Sequence, residues 1–389
     1  MKLLATILFC HTLLWASEIP QGQQEPMPTD MTVPAIEIPA SQVPALYDDG
    51  DIDLMLTALD RQLQAFKRKP LTGNLNIGGK SFSMRVLEES VLLFKTQVTG
   101  LKSCLQANDP LMCRQQFDQN LKQTFRWYRP NVANNTKAHF TGYYSPTFHA
   151  TKERTSTHLY GVYAKPSDES LRTMTRNQIL FDDKLEGHGL ELFYLDDPFE
   201  LYLLHIEGGG VVEYFENGVK KEAYLSFDGT NSQSFRFIGP YMKSKGYIKD
   251  LSIQSQRKFM QNNPQKWQEI YDQCPNFIYF KITKTEPLGM ENIPLTPGRS
   301  KAQDRSIFWR KGILGFVVAE RPVMPKNKKD LNPSSMPKIP LTRFFVDQDT
   351  GGAIRGEARA DLYWGYGDEA QFLAENLNEQ GDLYFMIKK

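Results

Sequence analysis

The 389-residue sequence predicts a mainly β protein that begins with a helical segment. Two observations predict the strands. Polar and apolar residues alternate along residues 138–163, and Asn217-Gly218 separates two alternating stretches, which is typical of a tight hairpin. A third observation predicts the helices, because apolar residues recur at intervals of three and four between Asp49 and Tyr128.

The helical segment divides into three amphipathic stretches. The first has its apolar side chains on one face from Leu54 to Phe66. Ser81 or Ser83 is the candidate N-terminal cap of the second, and Asp109 is that of the third. Short side chains that carry oxygen suit these positions because they accept hydrogen bonds from the free amides of the first turn.

From residue 138 onward the chain is predicted to consist mostly of strands. Asp196-Asp197-Pro198 marks a turn. The apolar run after it is interpreted as a strand that ends near His205, before three consecutive glycines. Residues 276–282 predict a buried strand. Helices are predicted within this region at residues 172–180, 252–263 and 264–271.

Composition excludes some classes of function. The net charge is +1, so there is no basic field that would attract nucleic acid. The six histidines are scattered and no Cys-x-x-Cys pair occurs, so we expect no structural metal. Aromatic residues make up 12% of the chain, a content that fits carbohydrate contact and equally fits strand packing.

The N-terminus predicts export. Residues 1–17 combine a lysine with an apolar run too short to span a bilayer, which is typical of a secretory signal peptide. The position of Cys10 favours a soluble exported protein over a lipid-anchored one. Residues 18–47 are rich in Pro and Gln and predict a disordered leader.

Export also permits disulfide bonds. Cys104 and Cys113 are close enough in sequence to join two helices, which would leave Cys274 unpaired. The alternative is three buried thiols, and the sequence leaves both open.

The stretch from Arg343 to Gly367 carries the candidate chemistry. A glycine-rich turn separates Asp349 from Asp361, 12 residues later, and aromatic residues follow the second aspartate. Cleavage of a glycosidic bond needs a carboxylic acid that delivers a proton, and an apolar setting helps a carboxyl to keep one. Asp361 is therefore the candidate acid and Asp349 a supporting group. The alternatives are a turn cap for Asp349 and an ion pair with Arg359 for Asp361.

Five blocks of this sequence form a recognisable series. They are TGYYSP before residue 147, DDPFELYLLHIEGGG from Asp196, SIQSQRKFMQNNP from Ser252, PLGMENIPLTPGRS ending at Ser300, and DQDTGGAIRGEARADLYWGYGDEA from Asp347. In this order the blocks resemble the membrane-bound lytic murein transglycosylase A (MltA) family. The resemblance extends from about Ala138 to the C-terminus.

The resemblance implies a double-psi β-barrel with a second β domain inserted into it and a groove between the two. We therefore expect five segments: the signal peptide at 1–17, the leader at 18–47, the helical segment and first part of the barrel at 48–148, the inserted domain at 149–285, and the C-terminal part of the barrel at 286–389.

The resemblance also implies a reaction. The family cleaves the β-1,4 bond between N-acetylmuramic acid and N-acetylglucosamine in peptidoglycan without water, and leaves a 1,6-anhydro end. Asp361 matches the position of the acid that afterwards acts as the base. A single carboxylate suffices because the nucleophile is a hydroxyl of the substrate itself, and the implied reaction needs no metal and no organic cofactor.

Seven further residues are candidate contacts for the glycan, because aromatic rings stack on sugars and polar side chains bind hydroxyl and acetamido groups. Glu207 departs from the family, which usually has glutamine there, and an ion pair with a neighbouring base is its alternative role. His205 is interpreted as a structural histidine. The candidates are Tyr143, Tyr144, Glu207, Asp228, Thr296, Arg299 and Trp364, and each is equally explained by packing or turn chemistry.

Two other classes of function remain open. One is a hydrolytic endoglycosidase on the same barrel, in which Asp349 or Glu207 would activate water. The other is an expansin-like wall-binding protein without catalysis. The preferred hypothesis predicts a periplasmic lyase, associated with the outer membrane, whose partners are peptidoglycan strands and other wall-synthesis proteins.

Overall fold

The computed structural model describes residues 29–132, 137–284, 286, 288–325, 336–351 and 354–389. These residues form two compact units. One, here called the insert unit, lies within residues 146–287, and the other, the barrel unit, combines residues up to 145 with residues 288–389. The predicted signal peptide falls outside the described residues.

The helices and strands have the following bounds. Up to residue 145 they are β1 (Met31–Val33), β2 (Ala35–Ile38), α1 (Ile52–Arg68), β3 (Asn74–Ile77), β4 (Lys80–Ser83), α2 (Val86–Ala107), α3 (Pro110–Thr124), β5 (Phe125–Pro130) and β6 (Ala138–Ser145). In the insert unit they are β7 (Thr147–Ala150), β8 (Tyr160–Tyr163), α4 (Glu169–Arg172), α5 (Arg176–Leu180), β9 (Glu191–Leu195), α6 (Pro198–Glu207), β10 (Gly209–Glu216), β11 (Val219–Thr230), α7 (Ile238–Ser244), α8 (Ile253–Asn262), α9 (Trp267–Tyr271) and β12 (Ile278–Thr283). The remaining elements are β13 (Ser300–Ala302), β14 (Leu314–Pro322), β15 (Lys338–Asp349), β16 (Arg359–Tyr366), α10 (Asp368–Asn376) and β17 (Asn378–Lys388).

Six strands of the barrel unit close into a barrel. They follow the order β14, β15, β13, β16, β6 and β17, and β17 pairs back onto β14. Two of the pairs, β13 with β15 and β6 with β16, are parallel, and therefore join strands that are distant in sequence. The predicted mainly β fold with a barrel is confirmed.

Helices α1 to α3 pack on this barrel and share its apolar core. The ring of Phe94 in α2 lies 4.8 Å from that of Phe344 in β15. Asp109 caps α3 as predicted, because its carboxylate accepts a hydrogen bond from the Met112 amide. A disulfide joins Cys104 to Cys113, which decides between the two alternatives, and Cys274 is a buried free thiol.

Two predictions for this part of the chain are wrong. Ser81 and Ser83 lie in strand β4, and α2 begins after Arg85 without a side-chain cap. The segment is thus helical only in part, because the β3–β4 hairpin interrupts it.

The predicted leader at 18–47 is also wrong where the structure describes it. Residues 31–38 form β1 and β2, which pair with β3 and β5. Met31, Val33, Ala35 and Ile38 are buried, so the segment has an apolar face. Pro34 stands at the break between β1 and β2, and Pro39 directly follows β2, where no ladder hydrogen bond is lost.

The insert unit contains a four-stranded sheet in the order β12, β11, β10 and β7. Its predicted hairpin is confirmed, because β10 and β11 pair around Asn217 and Gly218. Both turn residues have positive φ, 53° and 75°, the conformation that Asn-Gly adopts with little strain.

The apolar run after Pro198 is helix α6, so its interpretation as a strand is wrong. Asp197 accepts a hydrogen bond from the Phe199 amide and Pro198 occupies the first turn, two signals of a helix start. The run is apolar because two core clusters cover the helix. Leu201 and Leu204 pack into one cluster, and Phe199 packs into the other. Among the described helices of the whole chain, none is long and apolar enough to cross a membrane.

Candidate active site

Strands β6 and β16 each have an apolar face and a polar face. Phe140, Ala360 and Leu362 point into the barrel core. The alternate positions carry polar side chains, because successive residues of a strand point to opposite sides. The polar face of this pair bears His139, Thr141, Tyr143, Arg359, Asp361 and Tyr363.

Asp361 lies in the middle of this polar face and is 7% exposed. Its register partner on β6 is Thr141, whose hydroxyl donates a hydrogen bond to Asp361 Oδ1. Arg359 Nη2 lies 2.9 Å from the same oxygen. Two side chains, those of Thr141 and Arg359, thus contact the same oxygen of the Asp361 carboxylate.

Arg359 is itself fixed by a chain of hydrogen bonds. Its Nη2 donates to the Thr141 hydroxyl over 2.6 Å, and its Nη1 lies 2.6 Å from His139 Nδ1. A guanidinium has no acceptor, so Nδ1 must accept this bond. The ring proton is then on Nε2, which lies 2.6 Å from Asn378 Oδ1. This network fixes the side chains that hold Asp361.

Asp349 and Asp361 occupy the same row of the barrel. Ala302 on β13 is the register partner of Asp349 on one side and of Asp361 on the other. The backbones of the two aspartates are therefore separated by two strand spacings, about 10 Å. The register shifts at Ala302, and a hydrogen bond from Tyr143 of the polar face shows that the Asp349 carboxylate lies on the same surface as Asp361.

Asp349 is more enclosed than Asp361, with 2% of its surface exposed. The hydroxyl of Tyr143 donates to its Oδ2 over 3.0 Å, while Oδ1 has no hydrogen-bond partner among the described atoms. Burial raises the pKa of this carboxyl to about 6, although the neighbouring Thr350 amide and the Tyr143 hydroxyl favour its charged form. A carboxyl in such a setting keeps its proton into the weakly acidic range.

Tyr143, which is hydrogen-bonded to Asp349, also packs against a second tyrosine ring. Its ring lies 5.1 Å from that of Tyr363, its register partner on β16. The hydroxyl of Tyr363 is 2.8 Å from that of Ser145. This pair of rings lies beside Asp361 on the polar face.

Asp304 holds the turn that connects the two aspartates. Its carboxylate accepts a hydrogen bond from the Gly356 amide over 2.7 Å and from the Ser306 amide over 2.9 Å. Gly356 has a φ of 84°, which favours glycine. Residues 352 and 353 of the predicted glycine-rich turn lie outside the described part.

Arg299 and Thr296 are predicted glycan contacts that the structure places in the interior. Arg299 is 1% exposed, and its guanidinium contacts both carboxylate oxygens of Asp48, at 2.7 and 2.8 Å, and the carbonyl of Asp51. Thr296 is fully buried and accepts a hydrogen bond from Arg61. Both side chains bind protein groups of the barrel unit.

Trp364 and Tyr144 point to the core face of their strands. The indole of Trp364 packs against Gly142, where a Cβ would come within 2.8 Å of the indole nitrogen. Tyr144 is half-buried against the same core. Neither shares the polar face that carries Asp361.

Glu207 and Asp228 belong to the insert unit. Glu207 ends helix α6, and burial raises the pKa of its carboxyl to about 7. Asp228 forms an ion pair with Lys281 over 3.3 Å. His205 is buried between Phe277 and Phe280, and burial lowers the pKa of its ring well below the usual value, which fits a structural histidine.

Three residues of the polar face were not predicted from the sequence: His139, Thr141 and Tyr363. Thr141 and Tyr363 stand within the resembling motifs and His139 just before one of them, and all three alternate with core residues. That alternation is the signal that could have found them. In the described part of the chain, no cluster of histidine, cysteine and acidic side chains could hold a metal ion.

Comparison with known proteins identifies the class to which this fold and site belong. Residues 139–281 match the MltA specific insert domain, and residues 299–387 match the 3D domain. The protein is thus a β-barrel protein that combines a 3D domain with an MltA specific insert domain. The two matches together cover more than half of the chain. The chain belongs to the membrane-bound lytic murein transglycosylase A family.

Curated relatives carry the name of that family. The chain is 28% identical over 250 residues to the membrane-bound lytic murein transglycosylase A of Vibrio cholerae, covering 63% of this chain and 64% of the relative. It is 27% identical over 264 residues to that of Escherichia coli, covering 67% and 68%. The match thus spans about two thirds of the length of each relative.

Solved structures show the same fold. The MltA of Neisseria gonorrhoeae superposes with a TM-score of 0.65 at 22% identity, over 90% of this chain and 92% of that chain. The E. coli MltA with bound chitohexaose superposes with a TM-score of 0.60 at 22% identity, over 91% and 94%.

Proposed function

We propose that this protein is a peptidoglycan lytic transglycosylase that cleaves the β-1,4 bond between N-acetylmuramic acid and N-acetylglucosamine and forms 1,6-anhydromuramoyl ends. The observation that carries the proposal is the placement of Asp361. It is a single carboxylate held by Thr141 and Arg359 on the polar face of the barrel. The names of the family and of its curated relatives support the choice of murein as the substrate.

In this mechanism Asp361 acts twice. As an acid it protonates the glycosidic oxygen that leaves with N-acetylglucosamine. As a carboxylate it then takes the proton from the C6 hydroxyl of the muramic acid, which attacks C1 of the same sugar. Because the nucleophile is tethered within the substrate, no water and no second carboxylate need to enter the reaction.

The network around Asp361 suits the charged state that this residue reaches once it has donated its proton. Once Asp361 has given up its proton, the guanidinium of Arg359 and the hydroxyl of Thr141 stabilise the resulting carboxylate. Both donors are fixed before the reaction, so little reorganisation is needed when the charge appears. Export to the periplasm follows from the same proposal, since murein is found there, and the name of the curated relatives, membrane-bound, supports an association with the cell envelope.

A hydrolytic endoglycosidase is the second candidate, and one observation favours it. Asp349 and Asp361 lie two strands apart in the barrel, and inverting glycosidases use a pair of carboxyl groups, one as the acid and one as the base that activates water. Against this candidate, Asp349 is almost fully buried and bonded to Tyr143, so its carboxylate is poorly placed to activate water.

Product analysis on purified murein sacculi tests the proposal. Mass spectrometry should find anhydromuramoyl ends, which are lighter than hydrolysed ends by one water molecule. The D361N variant should release no product and should keep the thermal stability of the native protein. Reducing ends would establish the hydrolase instead, and release at the normal rate by D361N would exclude Asp361 as the acid.

A further inference from the structure

Asp349 and Tyr143 form a coupled pair next to Asp361. The phenol of Tyr143 donates to Asp349 Oδ2 over 3.0 Å, across 206 residues of sequence. The ring of Tyr143 also packs against the ring of Tyr363, and the two ring centroids are 5.1 Å apart. Tyr143 is therefore held at its hydroxyl by Asp349 and along its ring by Tyr363.

Asp349 is buried, whereas Tyr143, to which it is hydrogen-bonded, is partly exposed. Asp349 is enclosed at the end of β15, whereas Tyr143 is half-buried on the face that carries Asp361. A change in the charge of Asp349 would therefore alter the position of Tyr143, and through it the site around Asp361. This arrangement separates the group that could contact substrate from the group that controls it.

We propose that Asp349 is a positioning residue whose state of protonation sets how firmly Tyr143 is held beside Asp361, and that Tyr143 forms the aromatic wall of the sugar site at the cleavage point. The identity of the sugar rests on the proposed function. Asp349 itself contacts no substrate in this scheme and acts through Tyr143.

Several charged groups surround Asp349. Lys311, which pairs with Asp347, favours its charged form, and Asp347 on the same strand opposes it. Tyr143 also faces Asp361, which carries the Arg359 counter-charge. Burial is the largest influence on Asp349 and raises its pKa to about 6, so this group changes its charge between pH 5 and 7.

The two charge states hold Tyr143 differently. Ionised Asp349 accepts a charge-assisted hydrogen bond from the phenol, which is roughly twice as strong as a bond to a neutral acceptor. The tighter anchor leaves less motion of Tyr143 to be lost when a sugar binds. We therefore expect sugar affinity to improve about fivefold from pH 5 to pH 7.

The experiment uses the full chain in two assays. The first measures the rate of muropeptide release from purified sacculi between pH 5 and 8, as kcat and KM, for the native protein and for D349N and Y143F. The second measures the Kd of chitohexaose over the same range in the D361N background, where no turnover interferes. D60N and Y47F are the matched controls, since Asp60 pairs with Lys95 on the helical surface and Tyr47 is exposed.

The proposal predicts a step near pH 6 in KM and in Kd, with kcat little changed. D349N and Y143F should both lose the step and bind at the weaker, acidic level at every pH, whereas D60N and Y47F should keep it. A step that persists in D349N or in Y143F would overturn the proposal.

The outcomes separate this proposal from the proposed function. If the native protein releases nothing from sacculi but the step appears in chitohexaose binding, the lytic activity is refuted and the coupling stands. If chitohexaose binds without a step, or does not bind at all, Tyr143 is not the controlled wall of a sugar site and the coupling is refuted.

Discussion

Thr141 and Asp361 are 220 residues apart in the chain, yet the hydroxyl of one donates to the carboxylate of the other. They are register partners on the parallel strands β6 and β16. The closure of the barrel thus places a fixed donor next to the proposed acid. This relationship yields the first prediction.

Replacement of Thr141 by valine should slow the reaction more than it weakens binding. Valine keeps the shape of the side chain and removes the donor to Asp361. A hydrogen bond to a charged group contributes about 1.5–3 kcal/mol, so we expect kcat to fall roughly 10- to 100-fold. The rate of muropeptide release measures this effect.

T147V is the matched control for that substitution. The hydroxyl of Thr147 is buried in the insert unit without a hydrogen-bond partner among the described atoms. Its loss should leave kcat and stability unchanged or improve stability slightly. Equal rates in T141V and the native protein would show that Thr141 does not support Asp361.

The buried carboxyl of Asp349 should make stability depend on pH. Its folded pKa of about 6 exceeds the ordinary value of 3.8, so the folded state binds the proton more tightly than the unfolded state does. The contribution of this group to stability is therefore present below about pH 4 and is lost as the pH rises through 6. At pH 8 the loss should approach about 3 kcal/mol.

D349N tests this linkage because an amide does not titrate. Urea unfolding at pH 4 and pH 8 should show that D349N gains stability relative to the native protein as the pH rises. D60N should follow the native curve, since Asp60 is exposed. A native protein and D349N with parallel curves would mean that Asp349 has an ordinary pKa in the folded state.

Loss of Arg299 should destabilise the barrel unit rather than weaken sugar binding. R299M leaves the carboxylate of Asp48, whose side chain is only 12% exposed, without its counter-charge, which costs up to about 3–5 kcal/mol. The double variant R299M/D48N should recover part of this stability, because it removes the unpaired charge. If R299M instead keeps its melting temperature and raises KM, then Arg299 is a glycan contact, as the sequence suggested.

Removal of the disulfide should destabilise the helices that cover the barrel. Cys104 and Cys113 are nine positions apart, and a loop of this length is expected to contribute about 2–3 kcal/mol. The C104S/C113S variant should unfold at lower urea concentration than the native protein. A reducing agent should shift the native protein to the same midpoint and leave the variant unchanged; a reductant effect on the variant would contradict the assignment.

Local patterns in the sequence determined much of this protein. The spacing of apolar residues predicted α1, the cap at Asp109 predicted the start of α3, and Asn217-Gly218 predicted the β10–β11 hairpin. These features depend on interactions within a few residues, so a short stretch contains all the information that they need. The motif around Asp361 likewise indicated the family without any knowledge of contacts.

Tertiary structure alone decided which strands became neighbours in the barrel. Pairing in the barrel brought Thr141 to Asp361 and Tyr143 to Asp349, and it buried Arg299 against Asp48. Local periodicity shows that a strand has two faces, but it does not specify the partner strand or the register. For the same reason the run after Pro198 was misassigned, because an apolar segment covered on both sides has no period that separates helix from strand.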